Sequence, residues 1–480
     1  MALHLTKQKT FKLIAISLTC LLGLIFCTPP ALFAQQIIGI GQPLAMDTMP
    51  KRALKTDLPD TITHQKKFAK AAGFLVLMEV LPWTFDKFIK NADYAQISFK
   101  TVGHNLNPGS WAFDNDPFGT NQFGHPYHGS YFFSAFRANG YTFWEAAPAA
   151  FVGSYIWETA AENQAPSPND FVNTSFGGIV LGEMTYRLSN RIINNRARGF
   201  KRQVSEVLGF VVNPMNGLSR LLDGRWGRVA ANPVSRDSTK ISAEFDAGLR
   251  RIEGSNNGKP GWYGHAKFLY GNSYENYKEP FSNIYINTEF GKDDSSKVNI
   301  ISVYGSLIGW KIGSNNHYQQ VGVLSANYDY IRNRSFFYSG QSVKFNLFTN
   351  FNLSSKVKVN TSVGVGPIIL AAVPDPYFYK GRNYDYGSGL SYSGTGGISF
   401  ADKLFMTVNY RGGWLKTVDG NSSHSFLHTV SGELSYMFVK GLSICAEPGY
   451  FVLNGKYKLQ DDVNSRYSYL RTSLRYAVVF

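Results

Sequence analysis

The stretch RYSYLRTSLRYAVVF, Arg466–Phe480, alternates with period two. Phe480, Val478, Tyr476, Leu474 and Leu470 fall on one face, and Val479, Ala477, Arg475, Ser473 and Arg471 on the other. Successive side chains of a strand point to opposite faces, so one face can meet lipid while the other turns arginines inward. On a soluble protein so long an apolar strand face would invite aggregation.

The pattern recurs upstream. KISAEFDAGLR (Lys240–Arg250) sets Ile241, Ala243, Phe245, Ala247 and Leu249 against Ser242, Glu244, Asp246 and Gly248. SVKFNLFTNF (Ser342–Phe351), KVKVNTSVGVG (Lys356–Gly366) and LFMTVNY (Leu404–Tyr410) repeat it, and turn signals such as GSNNH, NLSSK and VDGNSS separate the runs. The reading gives twelve strands: 238–253, 259–273, 280–291, 295–313, 316–332, 335–352, 355–372, 386–399, 402–417, 423–438, 440–454 and 464–480. Those within 259–313 alternate least cleanly, and AAVPDPYFYKGRNYDYG reads as a long extracellular loop. A last strand that ends in Phe and alternates before it resembles those of bacterial outer-membrane barrels, where this end is the signal for the barrel-assembly machinery. The weighed alternative is a soluble β-sandwich.

At the other end, Lys7, Lys9 and Lys12 precede the apolar run LIAISLTCLLGLIFC, and the small residues of TPPALFAQQ follow. This reads as a secretory signal peptide cut after Ala34. Cys20 and Cys27 leave with it, so Cys445 remains alone and no internal disulfide is expected. The net charge is +15, of which the leader's lysines supply three. For an exported chain this points away from nucleic acid and toward the anionic headgroups of outer-membrane lipid and lipopolysaccharide, with scattered solvated lysines and arginines as the plainer account. No later segment has the roughly 18 unbroken apolar residues of a spanning helix. Aromatic residues at 15% and 46 glycines suit a barrel, whose strands escape a hydropathy average.

The N-terminal half is read as helical. Residues 35–60 form a Pro-rich lead-in, KKFAKAAGFLVLMEVLPW a short helix stopped near Pro82, and YAQISFKTV one further strand. Thr142 with Glu145, and Ser167 with Asp170, have capping-box spacing before apolar runs. A last helix, 200–222, is interrupted at Pro214. Gly177, Gly178 and Gly182 leave one helix side bare, which permits close approach of a neighbouring helix.

The stretches WAFDNDPFGTNQFGHPYHGSYFFSAFRANGYTFWE, GSYIWETAAENQAPSPNDFVNTSFGG, LGEMTYRL and NPMNGLSRLLDG, within Trp111–Gly224, resemble the domain of unknown function 3943 family. The resemblance implies an exported Gram-negative protein with a barrel-like C-terminal portion, and it brings no activity. The expected fold is therefore a transmembrane, antiparallel β-barrel of about twelve strands with an N-terminal α-helical plug or bundle. Its divisions are a signal peptide (1–34), lead-in and short helix (35–100), helical domain (101–230) and barrel (235–480).

Four residues of the helical block are candidates for chemistry. His125 and His128 are three apart, while Glu158 and Glu162 are four apart and would share a helix face. Two imidazoles and two carboxylates suit acid–base work or a divalent metal, and Glu183, Asp170 and His104 could join. Each has a structural alternative: Pro126 makes the His pair turn-like, Glu145 and Asp170 serve as caps, and Glu158 and Glu162 pair with Arg137, Arg187 or Arg191. No GxSxG elbow accompanies Ser130, Ser154 or His265. No cofactor is called for. The first functional hypothesis is a structural, binding or transport-type barrel occluded by its helices; the second is an outer-membrane enzyme acting on lipid or envelope polymer through His125, His128, Glu158 and Glu162.

Overall fold

The computed structural model describes residues 65–233, 239–254, 258–291, 296–333 and 335–479, so the expected signal peptide (1–34) and Pro-rich lead-in (35–60) lie outside the described residues. Twelve antiparallel strands close into a barrel in sequence order, with β1 (Ile241–Ile252) paired to β12 (Val463–Val479). Between them run β2 (Gly261–Tyr270), β3 (Ile284–Gly291), β4 (Val298–Ser314), β5 (Tyr318–Arg332), β6 (Phe337–Asn352), β7 (Val357–Tyr379), β8 (Arg382–Phe400), β9 (Leu404–Asp419), β10 (Ser423–Val439) and β11 (Leu442–Tyr457). Ile241 and Val479 lie at one end of the barrel, the lower end. The supposed loop after residue 370 is instead a hairpin: β7 and β8 continue to a turn at Lys380 and Gly381, both at positive φ, which suits a tight hairpin turn.

The alternation places charge inside. Arg475 binds Asp246 and Glu433, Lys267 reaches Glu433 from the far wall, and Arg411 reaches Asp329. Met406, Val408, Trp414, Leu434, Ile444, Leu470 and Leu474 stand exposed outside as a lipid-facing belt on β9–β12.

The helical domain precedes the barrel: α1 (Phe68–Thr84), α2 (Phe99–Asn105), α3 (His125–Arg137), α4 (Phe143–Ile156), α5 (Pro168–Val172), α6 (Gly178–Ile192), α7 (Gly199–Val212) and α8 (Pro214–Leu222). Pro82 does not stop α1, which runs on into a wide π turn, Phe85–Ile89. The strand expected at YAQISFKTV is a 3₁₀ turn followed by α2, because Ser98 and Thr101 form a reciprocal cap that starts a helix there. Pro214 opens α8 at its first turn, where its missing N–H costs nothing.

The helices form a bundle, and strand parity shows where it sits. Asn327, Asp329 and Ile331 of β5 line the lumen, so Tyr328 and Tyr330 point outward. These tyrosines, with Ile284, Ile286, Ile301, Val303, Leu370, Ala372, Tyr384 and Tyr386, share one core with Phe118, Phe133, Phe143, Ile179 and Leu181 of the helical domain. The bundle therefore packs on the outer wall, along a row of register neighbours from β1 to β8, and no described helix enters the lumen. The lumen is instead obstructed by the barrel's own side chains. Ile252, Ile331, Phe336, Ile368, Leu415, Leu427, Phe451 and Tyr469 make an apolar layer near the upper end. The ion pairs cross below it, and Tyr274, Tyr285, Tyr304, Val323 and Phe348 fill the β2–β6 side lower down, leaving a cavity of about 140 Å³. This explains the weak alternation in 259–313: near the lower end both faces of β2–β4 are apolar, one toward the bundle and one toward the lumen.

Close helix contact has the expected source. A Cβ on Gly178 would lie 2.5 Å from the Gly129 backbone, and one on Gly182 would lie 2.7 Å from the Phe133 ring. α3 and α6 meet almost backbone to backbone.

Candidate functional site

The polar groups of the bundle gather where α3 and α5 begin and α4 ends, level with the upper part of β8. The Asn121 amide donates to Asp114 Oδ1 (2.6 Å) and to the hydroxyls of Tyr384 and Tyr386 (3.1 and 2.9 Å). Asn169 donates to Asp114 Oδ1 (2.8 Å), Asp170 Oδ1 (3.0 Å) and the Tyr386 hydroxyl (2.9 Å). The Arg382 guanidinium holds the Asp114 carbonyl at 2.7 Å. These bonds join bundle to wall and fix the orientation of two carboxylates.

His125, Glu158 and Asp170 converge here. One ligand atom from each lies within 4.8 Å of the other two. His125 Nε2 is 3.5 Å from Asp170 Oδ1, and the Thr174 hydroxyl is 3.2 Å from Nδ1. Glu158 Oε2 accepts from the Ser167 amide at 2.8 Å, while Oε1 is buried without a hydrogen-bond partner. Pro126 does not unwind this segment, since proline is tolerated in a first helical turn.

Burial sets the electrostatics. It takes the His125 imidazole down to about 4, so the ring is neutral at pH 7. It pushes Asp170 and Glu158 well above the carboxylate range, helped by the Asp114 charge for the first and the Glu162 charge for the second. Glu162 rises to about 7, again chiefly by burial. Such a group binds a cation or shares protons; it does not hold three bare charges.

The two other candidates lie apart from this triad. His128 donates from Nε2 to the Met78 carbonyl (2.9 Å) and packs against Phe132 and Trp157. The pair three apart thus diverges, one ring toward α5 and the other toward α1. Glu158 and Glu162 do not share a helix face, because the wide turn Trp157–Ala161 ends α4 and leaves Glu162 in extended backbone, bound by the Trp157 indole at 2.7 Å. Asp170 is the residue whose weight the capping argument understated. Its amide is capped by Ser167, but its carboxylate does not return the bond and turns to His125. Glu183 is taken by Arg137 and Arg187, and Glu145 by the Thr142 cap.

Residues 110–215 match the family described as Domain of unknown function (DUF3943), so the matched segment contains the whole triad. The barrel alone overlaps solved structures of outer-membrane channels. The NanC porin covers 48% of this chain and 98% of its own at 9% identity and a TM-score of 0.28. The KdgM porin in complex with disordered oligogalacturonate covers 49% and 98% at 13% identity and 0.25. The outer membrane channel DcaP of Acinetobacter baumannii covers 50% and 96% at 9% identity and 0.23. At such scores what those channels carry has no bearing on this chain. Nothing among the curated proteins matches it.

Proposed function

We propose that this is an outer-membrane protein whose barrel is a wall rather than a pore, holding the helical bundle against its outer face so that the polar seam between them serves as a binding site. The observation that carries this reading is the parity of β5 and β8: Tyr328, Tyr330, Tyr384 and Tyr386 face the bundle, while the opposite face of the same strands closes on the lumen. The bundle lies beside lipid in this reading. Although no run of unbroken apolar residues marks a spanning helix in the sequence, the helix Phe68–Ile89, interrupted by Glu79 and Asp86, is by length and composition apolar enough to cross a membrane, with Lys66 and Lys67 before it and Lys90 after it. Phe85, Phe88, Trp144, Val152 and Phe210 stay exposed on the bundle surface. The basic surplus then meets lipopolysaccharide phosphates, and the terminal strand delivers the chain to the barrel-assembly machinery after removal of residues 1–34. The remaining divisions fall at 35–100, 101–230 and 235–480.

Planar-bilayer recording of the purified full chain tests this. No unitary conductance is expected, because the apolar layer from Ile252 to Tyr469 crosses the lumen; regular ohmic steps would overturn it. A second reading, an enzyme acting on lipid or envelope polymer, draws on the position of the triad beside the lipid-facing flank. It predicts lipid turnover that Glu158→Gln abolishes while the barrel still folds.

A further inference from the structure

The charges of the seam do not balance. Asp114, Glu158 and Asp170 bring three carboxyl groups together, and among the described residues no Lys or Arg forms an ion pair with any of them. Several other buried carboxylates are met by cations: Glu183 by two arginines, Glu206 by two, and Asp246 by Arg475. Within the bundle, then, Glu183 and Glu206 are neutralised by arginines, whereas Glu79 and this cluster are not, and only the cluster gathers several acids around one imidazole. Glu158 is 2% exposed and Asp170 4%, so solvent does not make up the deficit. Arg382 touches the Asp114 carbonyl but pairs with Asp419, so the basic group facing the carboxylates is His125, less enclosed than Asp170 at 12% side-chain exposure. Glu158 Oε1 has no partner. The Asn169 amide donates to Asp170 Oδ1 and is itself anchored on the Tyr386 hydroxyl, and the Ser167 N–H donates to Glu158 Oε2, the supporting arrangement that metal ligands require.

We propose that His125, Glu158 and Asp170 form a mononuclear site for a first-row divalent metal, Mn²⁺, Fe²⁺ or Zn²⁺. Two carboxylates and one neutral imidazole neutralise a dication, and imidazole selects these ions over Ca²⁺ and Mg²⁺, which prefer oxygen alone. Three protein ligands leave coordination positions open, as catalytic sites do and closed structural sites do not. Asp114 is a positioning residue, bound through the same two asparagines.

The test uses the full chain in detergent, stripped with a chelator, dialysed against Zn²⁺ or Mn²⁺ and assayed for bound metal by mass spectrometry. About one ion per chain is expected, with Asp170→Asn and Glu158→Gln each lowering occupancy at least tenfold at a fixed free-metal concentration. His265→Ala, in the lumen, should leave it unchanged. Co²⁺ substitution gives a readout independent of affinity, since a low-symmetry nitrogen–oxygen site absorbs in the visible and His125→Ala should bleach it. Persistence of the barrel's heat-modifiable electrophoretic mobility shows that each variant has folded. No stoichiometric metal in the wild-type chain, or full occupancy in Asp170→Asn, overturns the assignment in favour of acids that only share protons. Metal content and bilayer conductance are separate measurements, so either reading can fail without the other.

Discussion

Replacing Gly178 by alanine adds one methyl group where α6 crosses α3, and the structure places that carbon 2.5 Å from the Gly129 carbonyl carbon and 2.7 Å from its Cα. Carbon atoms rest at about 3.5–4.0 Å, so the helices must part by roughly 1 Å. Neither obstacle is a mobile side-chain end; both are backbone. Overpacking of this kind costs about 1–3 kcal/mol, against about 1 kcal/mol gained from the better helix propensity of alanine. The net expectation is a loss of up to about 2 kcal/mol. Gly73, on α1, has nothing within 4 Å of its would-be Cβ, so Gly73→Ala keeps the propensity gain without the clash. Thermal unfolding of the bundle, followed by circular dichroism at the helix band in detergent, should move the two variants in opposite directions. Equal shifts, or a rise for Gly178→Ala, would refute the claim that α3 and α6 meet backbone to backbone.

Three further outcomes follow from charged side chains. Arg475→Met removes the cation shared by Asp246, Glu244 and Glu433 inside the lumen, and breaking such a group costs about 3–5 kcal/mol; an unchanged urea midpoint for the refolded barrel would contradict it. Glu79 is buried in α1 with neither carboxylate oxygen bonded, so Glu79→Leu should leave the bundle as stable or more stable in the same thermal assay. The Glu145 carboxylate, bonded by Lys66 and by Thr142, is held down at about 2. A depressed acid stabilises above its unfolded value near 4.5 and loses that contribution as pH falls toward 2; the stability gap between wild type and Glu145→Gln should therefore close over that interval.

The barrel was legible because its rule is strictly local. Alternation over ten residues, as in Lys240–Arg250, fixes inside and outside without knowledge of any partner, and each of the twelve strands overlaps its predicted segment, with β7 and β8 running on through the expected loop. Legibility failed where a second surface was involved. Tyr384 and Tyr386 read as loop aromatics, yet they are outward strand residues whose hydroxyls meet Asn121 and Asn169, more than two hundred residues earlier in the chain. The bundle itself was visible, but not its position, since an apolar outward face suits lipid and helix equally well. Among the candidates, spacing named His125 and Glu158, which the fold brings together. It misjudged Glu162 because a single wide turn breaks the periodicity of four, and it undervalued Asp170 because a cap and a ligand can use different atoms of one residue.

The position of the bundle alters the meaning of a familiar manipulation. Cutting away residues 35–230 would not uncork this barrel. It would strip a tyrosine-studded flank from β5 to β8 and turn hydroxyls that now bind asparagines and a backbone carbonyl toward hydrocarbon. Leakiness, clumping or misassembly of such a shortened chain would report a wound in the wall, and only the intact protein can be asked whether it conducts.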